Sequence, residues 1–396
     1  MNYDFPVIKN IEQVLPIIKD KPEFIVIKKD GYTAIDYVVQ SSDTFPPVTS
    51  PNDAILRECR GIIFDNETGK IIRRPHHKFF NYAEREETMP CKLDLTESKA
   101  FDKLDGSMIA PFVVNGQLLY GTKKGVTEIS NQCANFRKNN PSYDEFSLYC
   151  IDKGLTPIYE WCSLQQKIVI EYKVESLTLT AVRNMETGVY VDLTSKNCPI
   201  RQKANELGIA IVSPIFDFSA NVNGFIESVK DMKGIEGFVI VTKNGHKLKI
   251  KTEEYCTLHN AVDIFVSERK MFRLVVDGAI DDLKPLLTSD RVALVSDYED
   301  GIFKGIKALE KIIIELAQKG KQTTSTRKEY AKYVSTIDKK FSPFLFVAYD
   351  DENRVFESII DRIKLKVHSN TDIERESWMF GGVRWKFVNT EISGEL

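Results

Sequence analysis

The sequence predicts an α+β protein in which antiparallel sheets occupy the first two-thirds and helices occupy the rest. Two observations lead to this class. Up to about residue 252, short β-branched segments alternate with tight turns, which is typical of antiparallel strands. After that point the apolar residues follow helical spacing and turn signals become rare. We therefore expect two domains, residues 1–252 and 253–396, in a chain of 396 residues.

Five predicted hairpins support the first domain. Each joins two apolar segments through a turn that contains Asn, Asp or Gly. The paired segments are 24–28 with 32–39, 61–65 with 70–73, 110–114 with 118–121, 177–183 with 189–193, and 238–242 with 247–252. A further strand is predicted at 158–161, and helices are predicted at 131–138 and 201–207. This mixture favours antiparallel sheets with added helices over a doubly wound parallel sheet.

Helical periodicity marks the second domain. Apolar residues fall three or four positions apart from Ile302 to Leu316, and Lys319-Gly320 follows them as a predicted helix stop. Segments 262–276 and 355–363 also predict helices. We therefore expect 253–396 to be mostly α-helical.

Composition and charge are those of an ordinary globular protein, with 42% hydrophobic and 28% charged residues. The net charge is −3, so no strong overall field draws the chain to nucleic acid or membrane. The seven cysteines are scattered without a C-x-x-C pair, which favours reduced thiols in a cytosolic protein. We expect neither a signal peptide nor a membrane span. Adjacent His76 and His77 would face opposite sides of a strand, so we expect no metal site there.

A candidate nucleophile lies in Lys103-Leu104-Asp105-Gly106. A lysine amine that is held deprotonated can attack phosphorus, and Gly106 lets the backbone approach a ligand closely. The same string would also fit an exposed lysine before a turn.

Two carboxylates lie next to apolar strand residues. Glu160 falls within a predicted strand, where a sugar hydroxyl or a metal ion would explain it. Glu236 precedes an apolar strand, where it could hold Mg²⁺ near a triphosphate. The structural alternatives are an edge-strand glutamate facing water and a Glu-Gly turn that leads into a core strand.

Three lysines alternate with apolar residues in Lys247-Leu248-Lys249-Ile250-Lys251. Because side chains alternate along a strand, all three lysines would share one face. Like charges on one face repel unless an anion lies over them, although a solvated strand face would also tolerate them.

Taken together, these motifs match a known order. The order of these motifs along the chain resembles that in covalent nucleotidyltransferases, namely ATP-dependent ligases and mRNA capping enzymes. The residues that follow this order are Lys103, Glu160, Glu236 and Lys249. The strings E-C-R-G-I at 58–62 and R-P-H-H-K-F-F-N at 74–81 narrow this further, since they resemble the bacteriophage RNA ligase 1 family of the tRNA-repair type. Segments 183–188, 236–251 and 276–284 are also similar to that family.

The resemblance implies an antiparallel-sheet nucleotidyltransferase domain followed by a mostly α-helical C-terminal domain rather than an OB-fold. It implies that Lys103 takes AMP from ATP as a phosphoramidate, that Glu160 holds the ribose or a metal-bound water, and that Glu236 assists metal and nucleotide binding. The expected metal is Mg²⁺, with Mn²⁺ as an alternative. Further nucleotide contacts are implied for Arg60, Lys78, Lys249, Lys251 and either Lys123 or Lys124, of which we favour Lys124.

The function implied is an ATP-dependent RNA ligase that joins 3′-hydroxyl and 5′-phosphate ends through lysyl-AMP and an adenylylated RNA 5′ end. Repair of a tRNA nicked in its anticodon loop, by a monomer in the cytoplasm of a phage-infected cell, would follow from the resemblance. The alternatives are a GTP-using capping-type guanylyltransferase, a DNA ligase, and a non-catalytic protein that binds RNA ends.

A basic stretch at 319–341 is the candidate RNA contact in the second domain. Its cations exceed its acids by five, and Tyr330, Tyr333 and Phe341 are interleaved with them. We expect these aromatic side chains to stack on bases while the cations bind the backbone. A solvated helix is the structural alternative.

Overall fold

Antiparallel strands form three four-stranded sheets in the part of the chain that the computed structural model describes, which is residues 3–38, 44–164, 169–170, 172–217 and 222–385. The sheet orders are β1-β2-β3-β4, β7-β6-β8-β9 and β10-β5-β11-β12. The strands are β1 Phe24–Lys28, β2 Tyr32–Tyr37, β3 Ile62–Asp65, β4 Ile71–Arg73, β5 Lys99–Asp102, β6 Ser107–Val114, β7 Gln117–Gly121, β8 Leu155–Cys162, β9 Ser176–Asn184, β10 Pro214–Asp217, β11 Gly237–Val241 and β12 Lys247–Lys251.

In the described residues one short α-helix precedes the strands, five lie between them and seven follow them. The helices are α1 Leu15–Ile18, α2 Pro51–Glu58, α3 Glu128–Asn139, α4 Ser142–Ile151, α5 Pro199–Glu206, α6 Val222–Asp231, α7 Glu253–Phe265, α8 Glu268–Asp277, α9 Ser289–Thr323, α10 Arg327–Ser335, α11 Ser342–Asp350, α12 Val355–Lys366 and α13 Asn370–Glu376. The predicted class, antiparallel sheets followed by a helical region, is therefore confirmed.

The chain forms two units that divide between Cys256 and Thr257, inside α7. In the first unit, α3, α4 and α5 bury an apolar core against β6–β9, and β5, β11 and β12 cover a second core with α6. In the second unit, a continuous apolar core surrounds the buried face of α9. No helix in the described residues is long and apolar enough to cross a membrane.

Four of the five predicted hairpins are confirmed by the pairs β1–β2, β3–β4, β6–β7 and β11–β12. The fourth in chain order is confirmed only in part, because residues 189–193 do not form a regular strand. Tyr190 bridges Arg183 in antiparallel fashion, and backbone hydrogen bonds join Asn184 to Val189 and Val191 to Val182. Residues 189–193 also line a cavity. Residue 39, the predicted end of the first hairpin, and residues 386–396 of the predicted second domain lie outside the described residues.

Two details of the predicted helices are also corrected. Segment 262–276 is split because Ser267 caps the start of α8 with its hydroxyl. Helix α9 continues past Gly320 to Thr323. A Cβ at Gly320 would collide with the rings of Tyr330 and Tyr333, so this glycine permits close packing of α10 and does not end the helix.

Candidate active site

The three lysines of β12 share one face, and the pairing with β11 decides what lies beside them. Leu248 and Ile250 are buried on the opposite face, as alternation requires. The neighbours on β11 are small or apolar and leave room for a ligand. The register pairs Lys251 with Gly237, Lys249 with Val239, and Lys247 with Val241.

Glu236 connects two of the predicted cations. Its carboxylate is buried, with one oxygen 2.7 Å from Lys103 Nζ and the other 3.0 Å from Lys251 Nζ. The two lysine side chains remain partly exposed, at 22% and 24%. The backbone supports the same arrangement, because Lys103 N–H donates to the carbonyl of Gly237 at 3.0 Å. A Cβ on Gly237, whose φ is +142°, would collide with the Ile250 carbonyl, so glycine is required there.

Glu160 lies on β8, opposite Met108 of β6. Burial raises the pKa of Glu160 to about 7; the charge of Lys103 opposes this rise, and that of Glu236 adds to it. The carboxyl group therefore titrates near neutrality, where a bound cation would favour its ionised form.

A cavity of about 590 Å³ lies over these residues, a volume within the usual range of small-molecule sites. Four of the predicted site residues line it together: Arg60, Lys103, Glu160 and Lys249. Another part of its wall is mainly apolar and is formed by Phe101, Met108, Ala181, Val191, Val239 and Val241. A charged region and an apolar region in one cavity suit a ligand that has phosphates at one end and a flat apolar group at the other.

Arg60 brings a partly buried cation to this wall. Its guanidinium lies 6.0 Å from the Phe79 ring centroid and hydrogen-bonds to Tyr37. One terminal nitrogen, Nη1, is buried with no hydrogen-bond partner in the described part of the chain. An unsatisfied buried donor costs free energy, so an anionic acceptor would stabilise this arrangement.

Lys249 is held between backbone strands. Its N–H donates to the carbonyl of Phe80, and its carbonyl accepts from Tyr82 N–H. The 74–81 string therefore continues as an extra strand segment beside β12, bridged in parallel at Asn81. Burial lowers the pKa of Lys249 to about 8, and the charges of Lys103 and Lys251 contribute.

Lys78 lies outside the cavity wall. Its Nζ donates to Tyr37 OH at 3.1 Å and lies 4.9–5.6 Å from the ring centroids of Tyr37, Phe45 and Phe80. Burial lowers the pKa of Lys78 to about 6, and the positive charge of Lys249 adds to the shift. In this geometry Lys78 supports Tyr37, the hydroxyl that also meets Arg60.

Of the two candidate lysines before Gly125, Lys123 lines the cavity and Lys124 does not. Lys123 Nζ lies 3.9 Å from Asp36 Oδ2 and 5.4 Å from the Tyr37 ring centroid. Our preference for Lys124 therefore runs against the geometry, because successive side chains point in different directions and only the first reaches the cavity. The sequence left this register undecided.

Asp105 and Tyr255 form a support that the sequence reasoning missed. One carboxylate oxygen of Asp105 accepts from the backbone N–H groups of Val169 and Ile170, and the other accepts from Tyr255 OH at 2.7 Å. Tyr255 also hydrogen-bonds to Glu236, and its ring lies 4.6 Å from Lys251 Nζ. Only its position, four residues after Lys251, could have suggested this role.

A second buried carboxylate, Glu58, connects the motif strings at 58–62, 74–81 and 183–188 through ion pairs. It is buried and accepts from Arg74 at 3.1 Å and from Arg183 at 2.6 and 2.8 Å. Burial by itself would raise the pKa of Glu58, but the two guanidinium charges outweigh it and lower the pKa to about 2. These three motif residues are structural, since none of them lines the cavity.

The three aromatic residues of the predicted RNA contact at 319–341 pack in or against the core of the second unit. Tyr330 is fully buried and donates to the Leu345 carbonyl, and Tyr333 donates to the Leu316 carbonyl. The expectation that Tyr330 stacks on bases is therefore wrong, whereas stacking by the half-buried Tyr333 and Phe341 stays a prediction. Lys328 and Lys332 are exposed, whereas Arg327 is paired with Asp350.

Comparisons with known proteins show similarity to RNA ligases. A family model described as RNA ligase matches residues 58–255. A "Putative RNA ligase" of Thermovibrio ammonificans is 27% identical over 355 residues, which cover 84% of this chain and 86% of that protein. RNA ligase 1 of bacteriophage TS2126 is 26% identical over 312 residues, which cover 74% of each. Among solved structures, an archaeal ATP-dependent RNA ligase aligns with a TM-score of 0.45 at 12% identity, covering 74% of this chain and 78% of that one.

Proposed function

The chain belongs to the RNA ligase family, and on this basis we propose that it is an ATP-dependent enzyme that joins RNA ends through a covalent AMP adduct on Lys103. One observation carries the proposal. The Glu236 carboxylate holds the amines of Lys103 and Lys251, and Lys103 lines the same cavity as Glu160 and Lys249. A potential nucleophile, the Glu160 carboxylate and several cations thus line one ligand-sized cavity, and Glu236 contacts the nucleophile.

In the first step the Lys103 ammonium loses a proton to water, and the free amine attacks the α-phosphorus of ATP. A P–N bond forms, the bond to the bridging oxygen breaks, pyrophosphate leaves, and the nitrogen gives up a second proton to water. Phosphoryl transfer depends mainly on positioning and on neutralisation of charge. Lys249 and Arg60, which share the cavity wall with Lys103, would supply that neutralisation.

In the second step an RNA 5′-phosphate oxygen attacks the adenylyl phosphorus. The P–N bond breaks, its nitrogen takes up a proton from water, and Lys103 leaves as the amine. In the third step a 3′-hydroxyl attacks the activated 5′-phosphorus, loses its proton, and displaces AMP. Each step exchanges one bond at phosphorus, so the cations that serve the first can serve the other two.

The residues present fit a divalent metal, Mg²⁺ or Mn²⁺. Mg²⁺ usually keeps several waters and is held by one or two carboxylates together with substrate phosphates. Glu160 offers one carboxylate, since none of the described cations forms an ion pair with it. Glu236 would become a second ligand only by exchanging a lysine for the ion. When bound, the ion supplies additional positive charge at the phosphates.

We further propose that the substrate is a tRNA nicked in its anticodon loop, repaired by a monomer in the cytoplasm of a phage-infected cell. Similarity to a bacteriophage RNA ligase 1 supports the phage setting, and the tRNA substrate is what the motif resemblance implies. The exposed Lys328 and Lys332 of α10 are the candidate RNA contacts in the second unit. Replacing both with alanine should slow ligation of nicked tRNA at least about fivefold more than ligation of a short oligonucleotide. Equal losses on both substrates, or none, would contradict a tRNA-specific role.

The central experiment incubates the protein with Mg²⁺ and α-labelled ATP or GTP. We expect label from ATP on the protein, stable to base and lost in acid, as a phosphoramidate should be. Addition of 5′-phosphorylated single-stranded RNA should then release the label and give circles. Label from GTP alone would indicate a capping-type enzyme, and absence of label from both would indicate a non-catalytic RNA-end-binding protein.

A further inference from the structure

Lys247 is a buried lysine without the carboxylate partner that its neighbour Lys251 has. It is 5% exposed and lines the cavity. No carboxylate of the described residues lies within ion-pair distance of its Nζ. Burying an amine that has no counterion reduces the stability of the fold. A ligand or neighbour that hydrogen-bonds to the amine would offset this loss.

The amine is held by one neutral partner. Lys247 Nζ lies 3.2 Å from His76 Nδ1 and 4.4 Å from the Tyr190 ring centroid. His76 Nε2 lies 3.4 Å from Thr180 Oγ1, whose hydroxyl donates to the Ile158 carbonyl at 3.1 Å. Burial lowers the pKa of His76 well below its ordinary value, which favours the neutral ring. With its proton on Nε2, the ring accepts from Lys247 and leaves other N–H bonds of the amine free for the cavity.

The position of Lys247 relative to the phosphate-binding residues suits a nucleoside. Along a strand, two residues advance roughly 7 Å, so Lys247 lies about that far from Lys249 on the same face. Val241 is its cross-strand partner, and Val239 faces Lys249. With the α-phosphate near Lys103 and Lys249, the ribose and base would extend along these valines towards Lys247.

We propose that Lys247 recognises the nucleobase, its amine donating a hydrogen bond to a ring nitrogen of the purine bound in the apolar part of the cavity. His76 is a positioning residue for that amine. The inference rests on the proposed function, because it takes ATP as the ligand. Adenine presents N1, N3 and N7 as acceptors, whereas an apolar wall alone could not distinguish one ring atom from another.

The test compares ATP with its 1-deaza, 3-deaza and 7-deaza analogues, each of which replaces one acceptor by C–H. Formation of the nucleotide adduct on the intact protein is followed by mass spectrometry against nucleotide concentration. In the wild-type protein one analogue should lower kcat/KM about tenfold, the usual loss when a hydrogen-bonded acceptor is removed. In Lys247→Met that analogue should differ from ATP by less than about twofold.

Lys243→Met is the matched control. Lys243 lines the same cavity and belongs to the turn of the same hairpin, but it is 47% exposed and paired with Asp94 at 3.5 Å. It should keep the wild-type preference among the analogues. Thermal unfolding of Lys247→Met should show no loss of stability, because a methionine of similar length replaces an unpaired buried amine.

Two results would overturn the inference. If the same analogue is rejected equally by the wild type and by Lys247→Met, another group contacts that ring nitrogen. If Lys243→Met loses the preference as well, the effect comes from positive charge in general. Absence of an adduct with every nucleotide would instead remove the proposed function, and this inference with it.

Discussion

Two carboxylates in the first unit each hold two cations, yet they are built differently. Glu58 bonds to Arg74 and Arg183, and all three side chains are no more than 1% exposed. Glu236 is equally buried, but its partners Lys103 and Lys251 keep about a quarter of their surface exposed. Arginine stays charged and binds through a rigid fork, whereas lysine has a single amine that can lose its proton and move.

The difference separates structure from chemistry. The two guanidinium groups around Glu58 are fully enclosed by protein. Their ion pairs link segments of the chain that are far apart in sequence. The lysine pair around Glu236 lies on or next to a cavity wall and can release an amine to a ligand. We infer that Glu58 stabilises the fold and that Glu236 serves the reaction.

The largest expected effect is at Lys103. Lys103→Ala should abolish covalent AMP uptake, and Lys103→Arg should do the same because a guanidinium stays protonated. Both proteins should keep the wild-type melting temperature within a few degrees, since the side chain is partly exposed. Label transfer from α-labelled ATP measures the loss. Residual uptake by either variant at more than about a thousandth of the wild-type rate would mean that another residue is the nucleophile.

The second prediction compares Glu58→Gln with Glu236→Gln. Glu58→Gln should lower the free energy of unfolding by about 3–5 kcal/mol, because two buried guanidinium groups lose their counterion. Glu236→Gln should cost much less stability but reduce adenylylation at least about a hundredfold. Denaturant unfolding and single-turnover label uptake measure the two effects. The comparison fails if Glu236→Gln unfolds as readily as Glu58→Gln, or if Glu58→Gln folds normally.

The stabilisation from Glu58 should also depend on pH. Its pKa falls from an ordinary 4.5 to about 2 in the folded protein. Its contribution, about 3 kcal/mol, is therefore fully present above pH 4.5 and lost as the pH falls towards 2. Acid unfolding of the wild type and Glu58→Gln should converge over that interval. An unchanged stability gap at low pH would show that Glu58 is not the group that titrates.

Glu160 gives a smaller effect near neutrality. Because its pKa is raised to about 7 in the free site, a metal or nucleotide complex that needs the carboxylate must displace a proton below that pH. The apparent metal affinity should therefore weaken up to tenfold for each pH unit below 7. Glu160→Gln should bind more weakly and lose this dependence. A wild-type affinity that is constant from pH 6 to 8 would exclude Glu160 as the titrating ligand.

The smallest effect distinguishes two neighbouring lysines. Lys123→Ala should slow adenylylation about tenfold, since this side chain lines the cavity. Lys124→Ala should change the rate less than twofold and serves as the matched control. The reverse order of effects would show that Lys124, and not Lys123, contacts the nucleotide.

Local patterns were enough to predict much of the fold and part of the site. Asn-Gly and Asp-Gly turns between β-branched segments predicted hairpins because those rules act within a few residues. The alternation in β12 placed three lysines on one face for the same reason. No local pattern predicts that Lys103 and Glu236, which are far apart in sequence, lie in contact. Only similarity to known motifs suggested it.

Tertiary packing decided the rest. Gly320 resembled a helix stop, but its lack of a side chain serves contact with Tyr330 and Tyr333. Those tyrosines resembled base-stacking residues, yet Tyr330 lies in the core of the second unit and Tyr333 packs against it. The alternation placed Lys247 on the lysine face but gave no signal of its contact with His76, and Tyr255 gave none of its bond to Asp105, because each pair is more than 100 residues apart in the chain. Periodicity cannot report contacts at that separation.

The most direct test of Lys103 as the nucleophile is to locate the AMP on the protein. The protein is incubated with Mg²⁺ and ATP, digested at neutral to alkaline pH so that a phosphoramidate survives, and mapped by mass spectrometry. We expect one AMP on the peptide that contains Lys103, and none on the peptides that contain Lys249 or Lys251. AMP on either of those lysines, or on no lysine at all, would contradict it.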